Sequence, residues 1–317
     1  MKMRRSLSLL LALLMVMLVF AGCGKTEVKE EEVKTEEVQT EETQETTEEP
    51  AVADFNGTIL FNGSSTLAPV ISAIAAEYNE EYGTWDKVDP SLGDKDIAIF
   101  VSSGGSGQGV KSVIEGTTDF GMVSREVKDE EKEQIPNYNE VMIGVDALTI
   151  TVNPANQIAD DLTKEDIMKI FSGEYKKWSD IDPALANEEI IVITRDVNGG
   201  AHGVFQKAIM GDVQVKEDAI QAASMGELVQ NVIDNPNAIG YGSYGVVNQN
   251  AGKVRTIKVE GIEANQENIV NKSYPIQRPL LIVSSGEPNP AEQKFIDLLL
   301  SEEGQGTIEK MGFVPVK

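Results

Sequence analysis

Val101-Ser-Ser-Gly-Gly-Ser-Gly-Gln-Gly-Val-Lys111 joins a strand-like run, Asp96-Ile-Ala-Ile-Phe-Val101, to a helix-like run over residues 110–115. A Gly/Ser loop in that position presents backbone N–H groups and hydroxyls with nothing over them. The helix start adds roughly half a positive charge, so the geometry suits an anion. A short way on, Thr118-Asp-Phe-Gly-Met-Val-Ser-Arg-Glu126 places a lone carboxylate, Asp119, just before another strand-like run. A donor-rich pocket with one acceptor suits an oxyanion that still carries a proton.

The same device recurs on both sides of this stretch. Upstream, the strand-like Gly57-Thr-Ile-Leu-Phe61 runs into the polar turn Asn62-Gly-Ser-Ser-Thr66 and then a helix over residues 67–78. Pro69 falls in the first turn of that helix, where its missing N–H costs little. Downstream, Glu189-Ile-Ile-Val-Ile-Thr194 leads into Arg195-Asp-Val-Asn-Gly-Gly-Ala-His-Gly203 and a helix over residues 204–210. This third loop has an Arg at its base, the side chain that forks two N–H bonds onto a tetrahedral oxyanion. The competing reading of Arg195 is a surface ion pair with Asp196. One hydroxyl-rich loop alone is no more than a helix cap. Three of them, each after a strand, predict a cleft at the carboxyl ends of the strands.

Between and beyond these loops, strands alternate with helices, which predicts an α/β class. Two long β-rich runs, residues 141–153 and 276–284, are expected to carry the chain from one lobe to the other and back. A helix is expected over residues 162–171, with Thr163 as its cap, Gly173 at its end and Trp178 in the following turn. Further helices are expected over residues 228–234, 291–300 and 303–310. The Gly/Tyr run Ala238-Ile-Gly-Tyr-Gly-Ser-Tyr-Gly245 reads as a strand and turn in which backbones approach closely.

Composition excludes several classes. The chain has 317 residues, 41% hydrophobic, with a formal net charge of −25. Such a chain repels nucleic acid, and no basic patch interleaved with aromatics offsets that. An enzyme reading finds little to work with: there is one His and one Cys, and no ligand spacing for a transition metal. Ser106, in Gly104-Gly-Ser-Gly-Gln108, misses the last glycine of a nucleophile elbow. His202 reads first as a helix-start side chain and second as a donor to a ligand at mildly acidic pH. No cofactor is implied.

The N-terminus reads as a processing signal. Met1-Lys-Met-Arg-Arg5 is basic, the apolar run over residues 9–20 is too short to span a bilayer, and Val19-Phe-Ala-Gly-Cys23 resembles a bacterial lipoprotein cleavage box, with Phe20 where Leu is more usual. Residues 1–23 are thus expected to be a signal peptide, and Cys23 the lipidated (palmitate-bearing) mature N-terminus. Residues 24–53, dominated by Glu, are expected to form an acidic, disordered tether. The folded part is expected to place residues 54–148 and 276–317 in lobe 1 and residues 149–275 in lobe 2.

Taken together, Ser64-Ser-Thr66, the Gly/Ser loop with Gly109-Val-Lys111, Asp119-Phe-Gly121, the run from Asp146 to Asn153, Phe171-Ser-Gly173 through Trp178, and Gly240-Tyr-Gly242 resemble the phosphate-binding proteins of bacterial phosphate ABC importers. The resemblance covers nearly all of residues 55–317. It implies a two-lobed clamshell of the periplasmic binding protein type II class, with two hinge crossovers and dehydrated phosphate held between the lobes. Carried over position by position, it implies that Ser64, Ser65 or Thr66 and Ser106 donate to phosphate from lobe 1, that Asp119 accepts the ligand's proton, and that Arg195 with the Gly199, Gly200 and Ala201 backbone binds from lobe 2. A carboxylate facing sulfate, which has no proton, would repel it. One departure stands out: where the family has hydroxyl residues after the Arg, this chain has Asn198-Gly-Gly-Ala-His202. The implied partners are inorganic phosphate, an ABC permease and the membrane through the N-terminal lipid, with a monomeric chain at the outer face of the cell membrane. The rivals are the same fold binding another oxyanion, a phosphate-ester hydrolase, and a sensor or scaffold lipoprotein.

Overall fold

The computed structural model describes residues 55–316. The expected signal peptide, Cys23 and the acidic tether lie outside the described residues. Among the described residues, ten strands form one mixed sheet. They are β1 (Thr58–Gly63), β2 (Ala98–Ser103), β3 (Phe120–Val123), β4 (Tyr138–Val152), β5 (Asp161–Leu162), β6 (Ile191–Arg195), β7 (Ile220–Ala222), β8 (Ala238–Ser243), β9 (Arg255–Val259) and β10 (Gln277–Ser285). Their order is β2-β1-β3-β10-β4-β8-β6-β7, with β9 also on β4 and β5 on β9.

The pairing explains how the chain changes sides. β1 lies parallel between β2 and β3, and β6 lies parallel between β7 and β8. Each trio is a doubly wound unit of strand, loop and helix. The two are joined by β4 and β10, the long runs expected as crossings, which pair antiparallel with each other. Along β4, residues up to Ala147 face β10, while Leu148–Val152 turn to β8. The last stretch of β4 is buried on both faces. Its sequence is therefore a nearly continuous apolar run, not an alternation.

Each half packs its own set of aromatic rings within one continuous core. Phe61 of β1 stacks on Phe120 of β3 at 5.0 Å and meets Phe295 edge-on at 5.7 Å. Tyr78, from the helix Ala68–Tyr82, packs on Phe295 and Trp85. In the other half Tyr241 of β8 stacks on Phe205 at 4.1 Å, with Phe171 beside both. Burial of each ring contributes on the order of 1.5–3 kcal/mol.

Local signals set most helix ends. Thr163 caps the helix Lys164–Ser172: its hydroxyl accepts from the Asp166 N–H at 3.0 Å, and Asp166 returns the bond to the cap. Gly173 then stops that helix in the left-handed region, at φ 80°. Trp178 departs from expectation. It opens the short helix Trp178–Ile181 and is buried, because its indole fills the core beneath that turn.

Candidate functional site

The three loops expected to converge do so. Ser64 follows β1, Ser106 opens the helix Ser106–Ile114 after β2, and Arg195 ends β6. Together with Ser65, Thr66, Gly105, Gly200, Ala201 and Arg278 they line one small cavity. Its empty volume is about 160 Å³. That volume takes in all the gaps between the side chains, open solvent included, and the donors stand close against one another.

Arg195 is held from every side. Its own backbone N–H donates to the Tyr241 hydroxyl at 2.9 Å, and its Nε donates to the Ala222 carbonyl at 3.0 Å. One terminal nitrogen, Nη2, donates to Asp196 and to the Ala223 carbonyl, both at 3.0 Å. The other, Nη1, reaches across to the Ser65 hydroxyl at 3.1 Å. Arg195 thus pairs with Asp196 as a buried, not a surface, ion pair at 3% exposure, and it also lines the cavity, with Nη1 toward Ser65. Tyr241 places the strand end; its phenol, buried and pushed up by that burial, also bonds the Thr194 hydroxyl at 2.7 Å.

The glycines of the third loop have a packing reason. A Cβ on Gly199 would lie 2.6 Å from the Arg195 guanidinium, and one on Gly200 would lie 2.4 Å from the Ser106 hydroxyl. The loop pressed against them is Gly105–Gly107: the Gly107 N–H donates to the Asn198 carbonyl at 3.2 Å, and a Cβ on Gly105 would strike that same carbonyl at 2.7 Å. Gly200 and Ala201 line the cavity, whereas Gly199 backs the guanidinium. Close backbone approach stands at the positions where this loop departs from the family's hydroxyl residues.

Asp119 is a correction. It precedes β3, whereas the cavity lies past the carboxyl ends of the strands. β3 has four residues, so its two ends are separated by roughly 10 Å. The Asp119 carboxylate accepts from the Leu60 N–H at 2.7 Å and lines a different hollow, with Thr118, Ser284 and Glu292. The residue that does follow β3 is Ser124. Its hydroxyl bonds that of Ser64 at 2.5 Å, and its N–H donates to the Ser106 hydroxyl at 3.0 Å.

Arg278 was not anticipated. It sits on β10 directly opposite Asp146 of β4. Its Nε and Nη2 fork onto Asp146 Oδ2 at 2.9 and 2.7 Å, Nη2 also reaches the Thr66 hydroxyl at 3.0 Å, and Nη1 donates to the Ser124 carbonyl at 3.3 Å. Asp146 further accepts from the Ser243 hydroxyl at 3.0 Å. Burial pulls the guanidinium below its ordinary value, and the Asp146 charge opposes that. The available signal was an Arg and an Asp, each inside an otherwise apolar strand.

What this arrangement can do is bind. Two guanidinium groups and four hydroxyls converge on one small space. His202, next to the cavity-lining Ala201, has its Nδ1 buried without a hydrogen-bond partner. Among the described residues, no group of His, Cys, Asp and Glu is placed to hold a metal, and no helix is long and apolar enough to cross a membrane.

Known proteins agree with the geometry. The family model described as a PBP superfamily domain matches residues 32–303. The phosphate-binding protein PstS of Staphylococcus saprophyticus is 31% identical over 272 residues, covering 81% of this chain and 80% of that protein. Among solved structures, a phosphate ABC transporter substrate-binding protein with bound phosphate from Clostridium perfringens is 30% identical, with a TM-score of 0.72 over 82% of this chain and 100% of its own. An ABC-type phosphate transport receptor from Vibrio cholerae is 26% identical, with a TM-score of 0.63 over 81% of this chain and 99% of its own.

Proposed function

The chain belongs to the PBP superfamily, and from that premise we propose that it is an extracytoplasmic solute-binding protein that captures inorganic phosphate and hands it to the permease of an ABC importer. The observation that carries the reading is the donor set. Arg195 and Arg278 face one small cavity with Ser64, Ser65, Thr66 and Ser106, all from strand ends or helix starts. The names of the relatives point the same way.

The mechanism is two-state closure. Ser64, Thr66 and Ser106 stand on one half of the sheet, Arg195 and Gly200 on the other. A ligand that bonds both halves favours the closed arrangement, which a permease can distinguish from the open one. The division runs through β4 and β10, with residues 54–148 and 276–317 as one lobe and 149–275 as the other. Cys23 carries the lipid, residues 24–53 act as the tether, and the protein works as a monomer at the outer face of the membrane. No catalysis is part of this reading.

The test is calorimetric titration of the purified protein with phosphate, repeated with Arg195→Met. Saturable 1:1 binding that weakens by about 10- to 100-fold in the variant is expected, since a hydrogen bond to a charged group is worth about 1.5–3 kcal/mol. Absence of phosphate binding in the parent protein would sink the proposal.

A further inference from the structure

Ser243, the last residue of β8, is fully buried and does not line the cavity. It stands where β4 changes partners: Ala147 still pairs with Gln277 of β10, and Leu148 already pairs with Ser243. Its hydroxyl donates to Asp146 Oδ1 at 3.0 Å, and the Gly245 N–H points at the same oxygen at 3.5 Å. The other oxygen, Oδ2, takes Nε and Nη2 of Arg278. This carboxylate therefore gives one oxygen to each side of the sheet. Oδ1 serves the β6–β8 half, and Oδ2 serves β10, which pairs with β3 of the other half.

From Ser243, two bonded paths reach the loop after β1. The first runs through Asp146 to Arg278, whose Nη2 meets the Thr66 hydroxyl at 3.0 Å and whose Nη1 meets the Ser124 carbonyl at 3.3 Å. The second starts at the Ser243 N–H, which donates to the Met225 sulfur at 3.2 Å. Met225 opens the helix Met225–Asp234, and its own N–H donates to the Ser65 hydroxyl at 3.2 Å. Ser65, Thr66 and Arg278 all line the cavity. Carboxylate and guanidinium are both planar, and the fork between them fixes their relative orientation. A turn of the β6–β8 half about the crossing strands moves Ser243, and through the shared carboxylate it moves Arg278.

The plainer role for Ser243 is to satisfy a buried carboxylate, as buried polar groups require. That role predicts a loss of stability alone. We propose instead that Ser243 is a positioning residue for anion capture, which ties the angle between the two halves of the sheet to the aim of Arg278 and the Thr66 hydroxyl. The inference rests on the phosphate-capture reading and names a residue outside the cavity through which closure and ligand contact are coupled.

The experiment is a double-mutant cycle on the purified protein, with Ser243→Ala, Thr66→Val and the two combined. Each protein is titrated with phosphate by calorimetry, its phosphate dissociation is timed by stopped flow, and its melting temperature is recorded. Ser243→Ala deletes the hydroxyl path and leaves the N–H path in place. It is expected to weaken phosphate by about 5- to 50-fold, with faster dissociation. The combined variant is expected to lose at least about threefold less than the product of the single losses, because the path ends at Thr66. Val232→Ala, a fully buried residue of the helix Met225–Asp234 that belongs to neither path, is the control for stability. It should lower the melting temperature and leave the phosphate Kd unchanged. Ser243→Cys keeps nearly the same shape with a weaker donor, should fall between the parent and Ser243→Ala, and takes its place in the cycle if the alanine variant does not fold. Parent-like binding in Ser243→Ala, single losses that simply multiply, or an equal loss of affinity in Val232→Ala each overturns the inference and leaves phosphate capture standing. A parent protein that binds no phosphate overturns both.

Discussion

Arg278 and Asp146 form an ion pair with side chains 1% and 0% exposed, so each compensates the other's burial. Removing one partner leaves a buried, unpaired charge, which costs about 3–5 kcal/mol, whereas replacing both by apolar groups costs much less. Arg278→Met is therefore expected to lower unfolding stability by that amount, and Asp146→Leu combined with Arg278→Met to recover a large part of it. Denaturant unfolding of the two proteins checks this; equal losses in both would show that the pair is not coupled. Neither residue was legible as part of the site. Asp146 entered only as the start of a run that carries the family resemblance and Arg278 not at all; the β4–β10 register places them opposite one another, with Arg278 reaching the Thr66 hydroxyl. Asp119 failed for the opposite reason. Its chemistry was right for a phosphate site, but it precedes its strand, and the loops that meet a ligand follow theirs.

At the level of elements, the helix Ser106–Ile114 lies unusually close to the sheet. A Cβ on Gly109 would sit 2.7 Å from the Met122 carbonyl and 2.9 Å from that of Asn62, both backbone atoms that cannot swing away. Gly109→Ala is expected to destabilise by about 1–3 kcal/mol and to shift the helix start that carries Ser106, so phosphate affinity should fall along with the melting temperature. Unchanged affinity would mean that the helix absorbs the methyl without moving. The helix Pro290–Leu300 offers a cleaner local test. Asn289 accepts from the N–H groups of Ala291 and Glu292, both at 3.0 Å, and Asn289→Ala should cost about 1 kcal/mol with phosphate affinity untouched. Elements of this kind were readable in the sequence. Thr163, Gly173 and Pro69 act through groups within a few residues of themselves, and the helices lie close to where periodicity and caps put them. Trp178 was misplaced because burial of its indole, which no neighbour in sequence reveals, turns a predicted turn into a short helix.

For the molecule as a whole, the sheet is one surface folded about β4 and β10, and the ligand is expected to act as a clamp across it. Phosphate at about 100 times its Kd should stabilise the protein by about 2.7 kcal/mol, visible as a raised melting temperature that chloride does not reproduce. A melting temperature indifferent to phosphate would contradict tight capture. The sequence by itself determined the α/β alternation, the two long crossing strands and the three glycine-rich loops after strands, because each rests on periodicity, turn chemistry or helix-start physics acting over a few residues. It also determined the family, through the combination of loops rather than any one of them. Only the tertiary structure decided which charges line the cavity. Arg195 depends on Tyr241, Ala222 and Ala223 to hold it, Arg278 depends on Asp146 across the β4–β10 ladder, and Asp119 lies away from the cavity because strand direction, not residue chemistry, chooses which end of β3 meets it. Those partners lie tens of residues apart in the chain, and charge placement in a buried site is fixed by partners in space.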